Sequence, residues 1–286
     1  MSANGRILVH TGAAILPAAA ASVPILDHGF LYGDSVYEVV RTSRGRPFLF
    51  REHMDRMRRS AALIYFELPW DDEEVLSRLL ALERELQTGD TYYRIVATRG
   101  PGPISLLPDG CDRPGLYLIG QRLLLPPERL YREGCSVAVV HRLRNDARAL
   151  DPRAKTGNYL NNMLGLIESR KLGADDALFL NATGHLTEAT TANVWIVEGG
   201  DLLTPPLAEG LLPGITRDWL FACEVGAREA TIDRERLREA EEVFLSGTIK
   251  GIMPVGTIDG ERVGAGGPGP VTRRLAALYG GALARA

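Results

Sequence analysis

The sequence predicts an α/β protein of two domains, with α+β character in the grouping of its helices and strands. Three observations predict it. A chain of 286 residues is longer than one ordinary hydrophobic core sustains. Segments with apolar residues at alternate positions are interspersed with segments spaced by three and four, the marks of half-buried strands and amphipathic helices. In "LLLPPERLYREG", two prolines and a run of charges precede a fresh apolar run, "CSVAVV". The expected division is a small N-terminal α/β domain over residues 1–121, a linker over 122–133 and a larger domain over 134–286.

In the first domain "RILVH" and "PFLF" read as short strands, and "HGFLYGDSVYEVVRT" as a loop leading into a strand. "FREHMDRMRRSAALIYF" has helical apolar spacing. "WDDEEVLSRLLALERELQTGD" is a second helix, acidic in its first turn where the dipole favours it and closed by Gly89. "TYYRIVATRG" and "GLYLIGQRL" are strands joined by a Pro/Gly-rich connection. The second domain runs from strand "CSVAVVHRL" through a helix over 158–172 ended by Gly173. Strands "DALFL", "HLTEATTANVWIVE" and "LLTPP" follow, then helix "TRDWLFACEV" ended by Gly226. "RERLREAEEVFLS", strand "MPVGTID" and a C-terminal helix from about Pro270 complete it.

Hydrophobic residues make up 45% and charged residues 24%, as in a globular protein in water. A net charge of −3, with arginines interleaved among acids, gives no basic face for nucleic acid or anionic lipid, so neither is expected as a partner. The apolar stretch "ILVHTGAAILPAAAASVPIL" is interrupted by His10 and Pro17 and reads as strand, loop and strand rather than a leader. No run approaches the ~18 apolar residues of a membrane helix. Cys111, Cys135 and Cys223 are odd in number and widely spaced, which fits a reducing cytoplasm and gives no metal-ligand pattern.

Lysine stands only at Lys155, Lys171 and Lys250 among 33 basic residues. Lys155 lies in "DPRAKTGNYLNNML", where a helix dipole disfavours a cation. Arginine does not deprotonate, whereas a buried lysine can act as an amine nucleophile. "LLPGITRDWL" puts Gly214 at a helix start, where the Ile215 and Thr216 amides and the Thr216 hydroxyl suit an anion, with plain N-capping by Thr216 as the alternative. "FLSGTIKG" offers a second donor turn through Thr248. Arg56 is a candidate guanidinium for the same anion. Glu188, in a strand of small and apolar residues, suits a protonated ring nitrogen, and Arg94 at a strand centre suits a carboxylate.

Seven segments carry a resemblance in chain order: "LDHGFLYGDSVYEVVR", "REHMDRM", "KTGNYLNN", "LTEATTANVW", "TPPLAEGLLPGITRDWL", "AEEVFLSGT" and "GPVTRRL". Together they resemble the class IV aminotransferases, the pyridoxal-phosphate enzymes of the branched-chain and D-amino-acid aminotransferase fold. The resemblance implies a two-domain fold with pyridoxal 5′-phosphate between the domains, the larger one binding most of it. Lys155 would form the Schiff base and shuttle the proton between substrate Cα and the cofactor. Tyr159 would bond the cofactor's phenolate oxygen and Glu188 its pyridine nitrogen. Arg56, Ile215, Thr216 and Thr248 would hold its phosphate. It further implies a homodimer or higher homo-oligomer, with the loop around Tyr32 reaching the neighbouring subunit's site, and a ping-pong exchange between an amino acid and a 2-oxo acid such as 2-oxoglutarate.

The branch follows from the substrate-side residues. Tyr92 and Arg94 in "TYYRIV", with Tyr159 and Arg41, resemble the branched-chain L-amino-acid enzymes, and Tyr32 and Tyr37 join them in the implied pocket. Val39 and Ile249 stand where that branch has glycine and alanine, and both crowd the pocket. "GDSVYEVVR" and "ATRG" resemble the D-amino-acid branch, but its Arg-x-His carboxylate trap is replaced by "GPGPISLLPDG". A branched-chain-like L-amino-acid transaminase is therefore expected first, and a D-amino-acid or (R)-amine transaminase second. An aminodeoxychorismate lyase or a catalytically idle cofactor-binding relative ranks below both.

Overall fold

The computed structural model describes residues 6–224 and 226–285. They divide into two compact units. The first takes in the chain up to Leu124 together with Ala154–Asn158, and the second comprises Leu125–Arg153 and Tyr159–Arg285.

The first unit contains β1 (Leu8–His10), β2 (Ile15–Pro17), α1 (His28–Tyr32), β3 (Ser35–Ser43), β4 (Arg46–Pro47), α2 (Phe50–Leu63), α3 (Asp72–Leu86), β5 (Thr91–Thr98) and β6 (Gly115–Arg122). Its antiparallel sheet runs β2-β1-β6-β5-β3-β4. Alternation sorts the strands' residues between two faces. Val36 and Val40 of β3, Tyr93, Ile95 and Ala97 of β5 and Leu116 and Leu118 of β6 pack with Met54, Met57 and Ala61 of α2 and with Val75, Leu79 and Leu82 of α3. Helices on one face of an antiparallel sheet give the α+β character expected.

Several local expectations change. "HGFLY" is a helical turn rather than loop, because the Asp27 carboxylate accepts from the Gly29 amide as its N-cap. "PFLF" is not a strand. The sheet ends at Pro47, Leu49 turns the chain at φ 52°, and Phe50 starts α2. Helix α3 ends on Gln87 in the left-handed region, two residues before the predicted Gly89.

The second unit contains α4 (Glu128–Glu133), β7 (Cys135–Val139), α5 (Leu160–Lys171), β8 (Asp176–Leu180), β9 (Leu186–Ala189), β10 (Asn193–Glu198), β11 (Asp201–Thr204), α6 (Ile215–Cys223), β12 (Arg228–Glu229), α7 (Arg234–Glu239), β13 (Glu242–Gly247), β14 (Gly251–Ile258), β15 (Glu261–Arg262) and α8 (Pro270–Arg285). Its strands follow the path β12-β11-β10-β13-β14-β7-β8-β9, and β9 also pairs with β10. Strands β10, β13, β14, β7, β8 and β9 therefore close into a ring around Val137, Leu178, Leu186, Val194, Leu245 and Met253. The pair that closes it is Asn193↔Glu188.

Here "HLTEATTANVWIVE" folds as a hairpin rather than one strand: the Ala189 amide donates to the Ala192 carbonyl, turning the chain over Thr190–Ala192. Residues 128–133 of the expected linker form α4, whose Leu130 joins the ring's core. Helix α5 starts at Leu160, two residues later than expected, and α6 is closed by Glu224 rather than Gly226. The expected larger domain over 134–286 also loses Ala154–Asn158 to the first unit. There Thr156 bridges to Val36, the Tyr37 amide donates to the Lys155 carbonyl (3.0 Å), and the Gly157 amide donates to the Ser35 carbonyl (2.8 Å).

Candidate active site

Register decides what the first unit presents on the sheet face away from α2 and α3. Tyr37 lies opposite Val96, Val39 opposite Arg94 and Arg41 opposite Tyr92, so these six residues share that face. Lys155 is brought against it by the 154–158 segment. Its Nζ donates to the Tyr37 hydroxyl at 3.3 Å and lies 4.4 Å from that ring's centroid, while its backbone amide donates to the Ser60 Oγ at 3.0 Å. The Arg94 guanidinium stacks on the Tyr37 ring at 3.7 Å. Arg41 is 8% exposed, and its Nε is buried without a hydrogen-bond partner among the described residues. A buried guanidinium with an unpaired donor is costly unless a ligand completes it.

Two glycines permit this approach. A Cβ on Gly157 would lie 2.3 Å from the Ser35 Oγ, and one on Gly33 (φ +71°) would lie 2.9 Å from the Asn158 amide nitrogen. "KTGN" and "GDS" are thus two sides of one close packing. Tyr32 ends α1 just before Gly33, its ring edge-on to His28 at 5.0 Å.

Arg56 lies on the α2 side of the sheet. It is buried, and its Nε and Nη2 each donate to the Glu38 carboxylate at 2.7 Å, with the His53 Nδ1 at 2.7 Å from the same group. Burial opposes the Glu38 charge, but Arg56 and His53 outweigh it and hold the carboxyl far below the usual carboxylate range. Burial also pushes the His53 imidazole below its ordinary value; Arg56 and Lys155 push the same way, against the pull of Glu38.

The second unit gathers the other candidates. Glu188 is buried on β9, its Oε1 accepting from Arg144 Nε at 2.7 Å and its Oε2 from the Leu212 amide at 3.1 Å. Arg144 Nη1 also donates to Asn161 Oδ1 in the first turn of α5 at 3.2 Å. Gly214 caps α6 without any side-chain hydrogen bond, so Thr216 is not the N-cap, and the helix opens with the Ile215 and Thr216 amides. A Cβ on Gly214 would fall 1.9 Å from the Asn193 Oδ1, and Asn193 also donates to the Leu212 carbonyl. Thr248 and Ile249 lie in the turn between β13 and β14, and Tyr159 is the N-cap of α5. Lys155, five residues before that helix, is not on it; the first unit holds it instead.

Residues 35–258 match the amino-transferase class IV family. The chain is a class IV aminotransferase. It is 36% identical over 259 residues, 89% of either chain, to a putative branched-chain-amino-acid aminotransferase of Methanocaldococcus jannaschii. It is 34% identical over 263 residues, again 89% of either chain, to a D-alanine aminotransferase of Listeria monocytogenes. Among solved structures, the branched-chain amino acid aminotransferase of Thermobaculum terrenum in its PLP form superposes with a TM-score of 0.87 at 28% identity, covering 99% of this chain and 95% of that one. The cofactor of this aminotransferase is pyridoxal 5′-phosphate. Each unit carries groups of the kind that cofactor uses: the first a buried amine at Lys155, and the second a buried carboxylate at Glu188, a helix N-terminus without a side-chain cap and a hydroxyl-bearing turn.

Sequence reading missed Arg144, Ser60, Asn193 and the Glu38–His53 pair. Glu38 was findable, since an acid between Val36 and Val40 on a buried strand face demands a partner. Arg144, in "HRLRND", carries no comparable mark.

Proposed function

We propose that this aminotransferase moves an amino group between a branched-chain-like L-amino acid and a 2-oxo acid such as 2-oxoglutarate. The observation that carries this reading is the sheet face holding Arg41 and Arg94 beside the apolar Val39 and Val96, with the Lys155 amine against Tyr37. Guanidiniums suit the carboxylates of both substrates, and Val39 and Val96 keep the surface beside them apolar, in a pocket that Val39 makes narrower than the glycine of the branched-chain enzymes would. When bound, pyridoxal phosphate supplies an aldehyde for the amino group and a ring that takes up electrons from Cα. In the proposed roles, the Lys155 amine would hold the cofactor at its aldehyde carbon and would carry the proton to and from the substrate Cα. Glu188, oriented by Arg144, holds the pyridine nitrogen, and Tyr159 the phenolate oxygen. The Ile215 and Thr216 amides, Thr248 and Arg56 hold the phosphate, with Glu38 fixing two of the Arg56 nitrogens. Tyr32, Tyr92 and Ile249 complete the substrate pocket.

A homodimer or larger assembly belongs to the same reading. Leu160, Met163 and Ile167, one stripe of α5, are 60%, 56% and 49% exposed, and Ile104 and Leu106 are 80% and 87% exposed. No helix among the described residues is long and apolar enough to cross a membrane. Three free cysteines support a reducing, cytoplasmic setting.

The test follows the visible absorbance of the bound cofactor as L-leucine, D-alanine or (R)-1-phenylethylamine is added. L-leucine is expected to bleach it. Bleaching by D-alanine or the amine but not by L-leucine would overturn the first reading in favour of the second, which the D-alanine aminotransferase relatives support. Lys155→Ala is expected to lower turnover by about 10²-fold or more. Turnover near that of the natural chain would remove Lys155 from the mechanism.

A further inference from the structure

Lys250 is one of only three lysines in the chain, and none of the roles above uses it. It ends the three-residue turn Thr248–Lys250, closed by the pair Gly247↔Gly251. Gly251 adopts φ +61°, where a Cβ would press on the Tyr279 ring at 3.1 Å. Outside the ladder, such a turn has no strand partner to fix where its amides and hydroxyl point. Here it is tied at three places. The Tyr131 hydroxyl donates to the Lys250 carbonyl at 2.9 Å, the Tyr279 hydroxyl donates to the Thr248 carbonyl at 3.4 Å, and the Lys250 Nζ pairs with the Asp176 Oδ2.

Asp176 opens β8 and is 5% exposed. Its other oxygen accepts from the Ala177 amide at 2.9 Å and from the Thr190 hydroxyl. Thr190 follows Glu188 by two residues in the β9–β10 turn, and its carbonyl accepts from the Asn162 Nδ2 of α5 at 2.8 Å. Lys250, Asp176 and Thr190 thus connect the turn that carries Thr248 to the hairpin that carries Glu188. A charge pair with Asp176 buried and Lys250 partly buried is not the arrangement that stability alone favours, because apolar residues of similar volume often fill such a place with little loss.

We infer that Lys250 and Asp176 are positioning residues that set the Thr248 turn in its phosphate-binding geometry relative to Glu188. This rests on the reading that Thr248 holds the cofactor phosphate. Preorganised donors bind a ligand more tightly because less ordering remains to be done on binding. The pair therefore serves phosphate recognition specifically rather than folding alone.

The experiment titrates the full chain, stripped of cofactor, with pyridoxal 5′-phosphate and separately with pyridoxal, and compares the two dissociation constants for each variant. Lys250→Met is expected to weaken pyridoxal phosphate binding by about tenfold and pyridoxal binding by less than about twofold. The double variant Lys250→Met/Asp176→Asn leaves no lone buried charge. It is expected to melt close to the natural chain yet keep the phosphate-specific loss. Thr248→Val tests the underlying reading. If it lowers the preference for the phosphorylated ligand while the Lys250 variants do not, the inference is wrong and the phosphate role of Thr248 stands. If Thr248→Val leaves that preference intact, the reading fails and the inference with it. Equal weakening of both ligands in the double variant also overturns the inference, since the pair would then be merely structural.

Discussion

Strand β3 carries Glu38 on one face and Arg41 on the other, and the protein houses these two charges differently. Glu38 is saturated, with Arg56 bidentate on its carboxylate and His53 beside it. Arg41, three residues on, keeps a buried Nε without a partner among the described residues. The helix-covered face closes the charge of Glu38 within the fold, whereas the face with Tyr37 and Arg94 keeps a buried donor without a partner among the described residues. The difference points to where a substrate carboxylate would be met, because a buried guanidinium nitrogen without a partner is costly.

The comparison breaks most visibly at Glu38. Glu38→Ala leaves Arg56 buried without its carboxylate and is expected to cost about 3–5 kcal/mol of stability by urea unfolding. A loss under about 1 kcal/mol would mean that the closed face is not closed by this network. Arg41→Met is expected to do the reverse. Its unfolding free energy should stay within about 1 kcal/mol of the natural chain, while KM for the amino acid rises roughly tenfold or more with the loss of a charged hydrogen bond. An unchanged KM would take Arg41 out of the substrate site.

The smallest effect concerns acid. His53 is held below its ordinary value, so the unfolded chain binds a proton there before the folded chain does. Stability should fall as pH drops through about 6.5, by at most about 1.4 kcal/mol per pH unit from this group, until the folded histidine also protonates. Glu38 has the opposite kind of partner but acts in the same direction at lower pH. Its stabilisation is present above about 4.3 and is lost only as pH falls towards its depressed folded value. In His53→Gln the loss between pH 7 and 5 should flatten; if the profile is unchanged, His53 is not the group being titrated.

Much of this arrangement is legible along the chain. The alternation in "TYYRIVAT" set Tyr92 and Arg94 on one face and Tyr93 and Ile95 on the other, as β5 has them. The glycine in "LLPGITRD" marked the start of α6, and a buried Asn193 against Gly214 explains why no larger residue stands there. Other features were not legible. "HLTEATTANVW" has the apolar content of one strand, and the turn at Thr190 depends on an acceptor at Asp176, 14 residues earlier. Arg56 was a candidate anion ligand from its sequence, but its pairing with Glu38 depends on β3 passing beneath α2.

The sequence by itself determined the family and the alternation of strands and helices, and it singled out Lys155 as the candidate amine, because these depend on residue type and local spacing. Only the tertiary structure decided that Lys155 is gripped by β3 and Ser60. It alone paired Arg144 with Glu188 and joined Lys250 to Asp176, partners separated by 44 and 74 residues. Charge pairs of this kind depend on which strands meet when the ring closes, and no local periodicity encodes that meeting.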